Sequence, residues 1–230
     1  ARNIDPILFS TPSAIVQAFW RVTASGELPS QLVLSLSIFA TGLTLAVILG
    51  VVIGLLMGRY RFFEYLLDPY INALYATPRV ALIPLMILWL GLGVEAKIFI
   101  VFLVGFFPVV INTSHGVRDV SGGYVEIVRA YGANERQIFT KVMVPAAVPF
   151  ITTGIRLAVG RSLVGMVVAE MFTAIKGLGG MVIKYSSDFD TAALFVPIIV
   201  LAVLGMVLSE VAKQLELVFA RWKETERAQV

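Results

Sequence analysis

Four ionisable side chains stand where a polar chain has no ordinary business. Arg156, Arg161 and Glu170 lie within residues 150–172, a stretch that is otherwise apolar or small, and Arg79 follows Pro78 inside another such stretch. A guanidinium in apolar surroundings can hold an anion or lock onto a carboxylate, and a buried carboxylate can hold helices together or line a path. Both readings stay open for Arg156 and Arg161: one of them lines a pathway for an anion, or they pair with Glu170, Glu210 or backbone carbonyls. Their spacing of five residues is roughly 500° of helical rotation, so they point roughly 140° apart and at most one faces a common path. Arg79 beside a proline suggests a gate or broken helix, or an arginine that snorkels to a membrane surface. The single histidine, His115, is expected to be a structural hydrogen-bonding group. One histidine and no cysteine exclude, within one chain, a multi-histidine site and thiolate or disulfide chemistry. There is no G-x-x-x-x-G-K-[ST] phosphate loop; residues 175–190, IKGLGGMVIKYSSDFD, read as a glycine-rich loop whose KGLGG at 176–180 lacks the Gly-Lys-Ser/Thr ending.

The elements that carry these residues belong in a membrane. Of 230 residues 58% are hydrophobic and 14% charged, and the mean hydropathy is +0.89; a soluble domain carries about 25% charged residues. Five segments are apolar enough to span: 31–58, about 66–92 interrupted by Pro78 and Arg79, 98–117, 150–172, and 191–209 continuing to about 219. The first 30 residues read as an outer or interfacial segment with a short amphipathic helix near Ser13–Arg21; residues 31–220 form the membrane domain and 221–230 a tail. If the spans alternate, Arg59, Arg61, Arg118, Arg129, Arg136, Lys141, Arg221, Lys223 and Arg227 share one side, and Lys97, Lys176 and Lys184 the other. The richer side is cytoplasmic by the positive-inside rule. Gly50, Gly54 and Gly58 make a small-residue stripe on which a second helix can close in, or lie idle against lipid. Trp20, Trp89 and Trp222 read as interfacial anchors, and Asp188 and Asp190 as solvated loop acids or contacts for an external protein.

Residues 126–145, EIVRAYGANERQIFTKVMVP, break the apolar pattern. They read as two short helices. Val125, Val128 and Tyr131 share a face of the first, and Glu126 and Arg129 stand at i and i+3. Gly132 suits the left-handed position after a helix end. Asn134 with Gln137 makes a capping box for the second. Ile138, Phe139 and Val142 give an apolar side, and Pro145 marks the turn into the next span. The product is a helical elbow at about 119–145, either a docking element or a plain connection.

The spacing Glu126, Gly132, Val142, Val144 and Pro145 resembles the signature cytoplasmic loop of binding-protein-dependent ABC importer permeases. Ile127 and Val128 depart from it, standing where that motif favours two alanines. LLDPYINALYATPRVALIPLMILWLGLG, FFPVVINTSHGVRDV, GIRLAVGRSLVGMVVAEM and KGLGG resemble the nitrate, sulfonate, taurine and bicarbonate branch of these permeases. The resemblance implies an all-α integral membrane protein of the type I ABC importer permease fold, with five spans here and a sixth expected before Ala1. It implies that Glu126, Arg129, Ala130, Tyr131, Gly132, Ala133, Asn134, Val142 and Pro145 form a coupling helix and its flanks. It implies as partners a second copy, two ATPase subunits that carry the Mg-ATP, an extracytoplasmic binding protein and lipid, with no cofactor on this chain and no nucleic acid. The setting is the cytoplasmic membrane of a prokaryote. Small anions such as a sulfonate or taurine, nitrate or bicarbonate are the expected cargo, with a thiamine-precursor pyrimidine or an aromatic acid as the alternative. From another class, a stand-alone ion-driven transporter would use Glu170, Arg156 or His115; no inverted repeat is detected in its favour.

Overall fold

The computed structural model describes residues 10–120, 122–173 and 176–227, with side chains to residue 219. Among these residues every regular element is helical. A short helix, α1 (Pro12–Ala24), is capped by Thr11 and opened by Pro12. It precedes α2 (Glu27–Arg59), α3 (Arg61–Ala76), a 3-10 turn (Arg79–Leu82) and α4 (Ile83–Leu90). Then come α5 (Val94–Arg118), α6 (Gly122–Ala130), α7 (Glu135–Ile138), a π-helical turn (Phe139–Met143), α8 (Val144–Phe172), α9 (Leu178–Ser187) and α10 (Thr191–Arg227). Among the described residues four helices are long and apolar enough to cross a membrane, and the broken pair made of α3 with the 3-10 turn and α4 counts as a fifth if it is one span.

Several boundaries differ from the sequence reading, for local reasons. The second segment starts at Arg61 rather than 66; its break comes at the expected Pro78 and Arg79, where Thr77 takes extended backbone (ψ 134°), as a residue before proline is driven to do. Residues 178–187, expected as loop, form α9. Its paired glycines disguise it, yet they serve packing, since a Cβ at Gly179 would lie 2.5 Å from the Val167 carbonyl oxygen. Pro145 marks no turn. It sits in the first turn of α8, directly after the π turn, whose wider register pairs the Val144 N–H with the Phe139 carbonyl. α2 opens at Glu27 rather than 31, and α10 continues as helix through Arg227, past the expected start of a tail at 221.

The chain divides into two compact units. The first comprises the described residues through Gly42, Arg79–Val101 and Ser162–Leu208. Its core joins Val22 of α1, Leu178, Met181 and Tyr185 of α9, and Ala193 and Val196 of α10. Glu27 accepts from Lys184 (2.7 Å) and from the Tyr185 hydroxyl (2.9 Å). Burial, and next that carboxylate, push the Tyr185 hydroxyl well above its ordinary pKa, which keeps it a donor. Lys97, Lys176 and Lys184 all belong to this unit.

The second unit comprises Leu43–Pro78, Phe102–Arg161 and the residues from Ser209 onward. It gathers Arg59, Arg61, Arg118, Arg129, Arg136 and Lys141, so the two groups of cations separated by span counting fall in different units. Its core holds Met57, Ile71, Phe107 and Val110. Here α2 and α5 touch backbone to backbone. A Cβ added at Gly50, Gly54 or Gly58 would lie 2.8, 2.6 or 2.5 Å from the Cβ of Val109, Thr113 or Val117. Those partners recur every four residues, so one glycine row meets one row of branched side chains. Gly54→Leu is therefore expected to destabilise the chain by about 1–3 kcal/mol through overpacking. Gly160→Ala, where a Cβ meets nothing within 4 Å, is expected to be neutral. Thermal unfolding in detergent compares the two.

Candidate functional site

The charged segment between α5 and α8 folds as a closed elbow. α6 ends in a Schellman motif: Gly132 adopts φ 83°, its N–H reaches the Arg129 carbonyl (2.9 Å), and the Ala133 N–H reaches that of Val128 (3.2 Å). α7 begins two residues later with a complete capping box. The Gln137 N–H donates to Asn134 Oδ1, and the Asn134 N–H to Gln137 Oε1, both at 2.9 Å. Almost no residue separates the two closures, so the direction of α6 is set rigidly against that of α7.

One carboxylate ties this elbow to the rest of its unit. Glu135 accepts from Arg129 of α6 (2.7 Å) and from Arg59, the last residue of α2. Arg118, at the end of α5, pairs with Glu64 of α3 (2.7 Å). Arg129 thus takes Glu135, not Glu126, as its partner, and Glu126 is exposed. Ile138 is buried, with Phe139 and Val142 half-buried beside it.

The outer face of α6 is apolar and uncovered. Tyr124, Ile127 and Tyr131 are 63%, 56% and 89% exposed. At spacings of three and four residues they form one stripe. Tyr131 therefore belongs to the solvent side and does not join Val125 and Val128, which are half-buried. The sequence reading saw the apolar side of the second helix and missed this stripe, although the i, i+3, i+7 pattern was there to find. Ala130 and Ala133 flank the turn.

The intramembrane charges do not converge on one site. Arg156 donates to Glu216 of α10 (2.9 Å), whose other oxygen accepts from Thr153 (2.6 Å). Its partner is neither Glu170 nor Glu210; Glu210 pairs with Lys213. Arg161 donates to the hydroxyl of Tyr75 in α3 (2.7 Å), with its guanidinium 5.3 Å from that ring centroid. Among the described residues no carboxylate lies within ion-pair reach of Arg161. Glu170 is 0% exposed and belongs to the first unit, where Ser35 and Gly179 donate to it. Arg79 is half-buried in the 3-10 turn, and His115 is exposed in the last turn of α5. Asp190 is already engaged, with Arg21 (2.6 Å) and as the cap of α10, and Asp188 closes α9. Trp20 and Trp89 are exposed; the Trp222 side chain lies outside the described residues. No group of three metal-ligating side chains occurs among the described residues.

Residues 46–222 match the family of binding-protein-dependent transport system inner membrane components. The chain belongs to that family. It is 39% identical over 215 residues to the putative aliphatic sulfonates transport permease protein SsuC of Escherichia coli K12, covering 94% of this chain and 82% of that protein. It is 32% identical over 223 residues to the formylaminopyrimidine transport permease protein ThiX of Halalkalibacterium halodurans, covering 96% and 88%. Its fold matches a chain of the MetNI methionine ABC transporter in inward-facing conformations, with a TM-score of 0.69 at 16% identity, covering 94% of this chain and 99% of that one. The chain is thus a multi-pass inner-membrane ABC permease of the type I fold.

The elbow closures carry a direct test. Asn134→Ala removes the acceptor for the Gln137 N–H and is expected to cost about 1 kcal/mol locally. Amide exchange over residues 135–143 should then quicken about fivefold, with α2 and α5 unchanged.

Proposed function

We propose that this chain is the membrane-spanning subunit of an importer whose energy comes from a separate ATPase, and that the elbow is where that ATPase docks. The exposed stripe of Tyr124, Ile127 and Tyr131, held on an elbow closed at Gly132 and Asn134, carries this reading. Uncovered aromatic and aliphatic side chains on a helix kept out of the membrane by its charges fit a partner's groove. A rigid elbow passes a push to the spans, where a slack loop would absorb it. Glu126, Arg129 and Glu135 frame the stripe with charge. The cations of the second unit support a cytoplasmic position for the elbow and the C-terminus. Mg-ATP binds the partner ATPase, a second copy of this chain completes the pathway, and a binding protein delivers cargo from outside.

For cargo we favour a small anion of the sulfonate class. The relative named for aliphatic sulfonates stands at 39% identity and that named for formylaminopyrimidine at 32%, so the pyrimidine is the second reading. Arg161 supports the anion. Its hydrogen bond goes to a neutral hydroxyl, whereas Arg156 is answered by Glu216. A positive charge not matched by a carboxylate within a spanning helix is what a passing anion would meet.

Two substitutions test these statements. Gly132→Val forces a branched residue into a left-handed turn, so the ATPase should no longer co-purify; normal ATPase binding and transport in that variant would contradict the docking assignment. Arg161→Ala should lower uptake of an alkanesulfonate at least tenfold while complex assembly persists. Loss of assembly would instead assign Arg161 to holding α8 against α3.

A further inference from the structure

α9 ends in a second Schellman motif, and a phenylalanine stands where glycine is the usual residue. The Phe189 N–H reaches the Ser186 carbonyl (3.3 Å) and the Asp190 N–H that of Tyr185 (3.1 Å), the pairing that puts residue 189 in the left-handed position. Phe189 adopts φ 56° and is the only described residue other than glycine with a positive φ. A Cβ disfavours that backbone, which glycine would take freely. Packing does not explain the choice, because Phe189 is 74% exposed. The turn is nonetheless fixed on both sides. Glu27 of α2 holds Lys184 and Tyr185 in the last turn of α9. Asp190 caps α10 through the Ala193 N–H (3.0 Å) and pairs with Arg21 of α1 (2.6 Å).

A strained backbone that holds an aromatic ring in the open has its use outside the fold. The neighbouring groups say what kind of use. Within residues 184–190 Lys184 is answered by Glu27 and Asp190 by Arg21, which leaves the exposed Asp188 with an unanswered negative charge. Beside the turn a cleft of about 270 Å³ is lined by Ala14, Gln17, Ala18 and Arg21 of α1 with Asp190 and Ala192. A projecting ring, a free carboxylate and a recess with polar walls suit a protein surface. A bilayer interface gathers aromatic residues with basic ones, and here both residues flanking the ring are acidic. We propose that Phe189 anchors the docking of the extracytoplasmic binding protein, its ring entering an apolar hollow there while a lysine or arginine of that protein faces Asp188. This assignment rests on the importer reading above, in which a chain cytoplasmic at the elbow is outside once α8 has crossed. The fixed turn aims the ring before the partner arrives, so little freedom is lost on docking.

The test titrates the purified extracytoplasmic binding protein of the same importer onto the full chain in lipid nanodiscs with an added ABC ATPase subunit. Phe189→Gly suits the turn better than the parent residue, so the variant should unfold at the parent's temperature or above it. Its binding should nonetheless weaken by about tenfold or more. Asp188→Asn should weaken binding by about threefold and flatten its dependence on salt. The chain has no cysteine, so Phe189→Cys carries a single dye, which a water-soluble quencher should reach and the binding protein should shield. A Phe189→Gly variant that binds as tightly as the parent would overturn the inference and leave the importer reading intact. Weaker binding that comes only with earlier unfolding would assign the ring to the fold, and quenching of the dye by brominated lipid would assign it to the membrane; either overturns the inference. A parent chain that does not bind the binding protein at all would overturn both this inference and the importer reading.

Discussion

A helix that ends in or beside a membrane must have its last N–H and C=O groups closed by protein, because hydrocarbon offers no water to do it. Each departure from straight helix in this chain meets that demand in its own way. At α9 the donors are taken by Gln31, Ser35 and Glu170. At the elbow the chain closes its own ends through the Schellman turn at Gly132 and the Asn134–Gln137 box. Ahead of Pro145, whose ring nitrogen can donate nothing, a π turn shifts the register. The shape of each connection follows from the acceptors within reach.

The same demand separates what is rigid from what is merely attached. The ion pairs of Glu135 are largely exposed, and exposed pairs contribute little to stability. What they fix is direction: one acid reaches the end of α2 and the last turn of α6 together. With the glycine row of α2 seated on Val109, Thr113 and Val117, the elbow sits at the end of two helices that cannot slide past one another. The stripe on α6 is presented by a stiff support, which a transmitting element needs and a plain connection does not.

Local features of this fold were readable in the sequence, and distant ones were not. Gly132, Asn134 and Gln137 lie within six residues and carry their geometry in their types, so the elbow's closures could be written down in advance. Thr77 and Pro78 announce the break after α3 for the same reason. By contrast Glu135 and Arg59 are 76 residues apart, and Arg156 and Glu216 are 60 apart; side-chain type alone does not select Glu216 over Glu170 or Glu210. α9 escaped because glycines usually signal loop, whereas here they let a helix nest against the Val167 backbone. Tyr131 was assigned to the wrong face because an aromatic residue is ordinarily a core residue, and an uncovered stripe contradicts that habit wherever a partner is meant to cover it.

The central claim is that the α6 stripe is a surface made for a second protein. Amide exchange of the chain in lipid nanodiscs, with and without an added ABC ATPase subunit, tests this most directly. The account predicts that added ATPase slows exchange across residues 122–138 and leaves α9 unchanged. Protection confined to other segments, with residues 122–138 exchanging as fast as before, would contradict it.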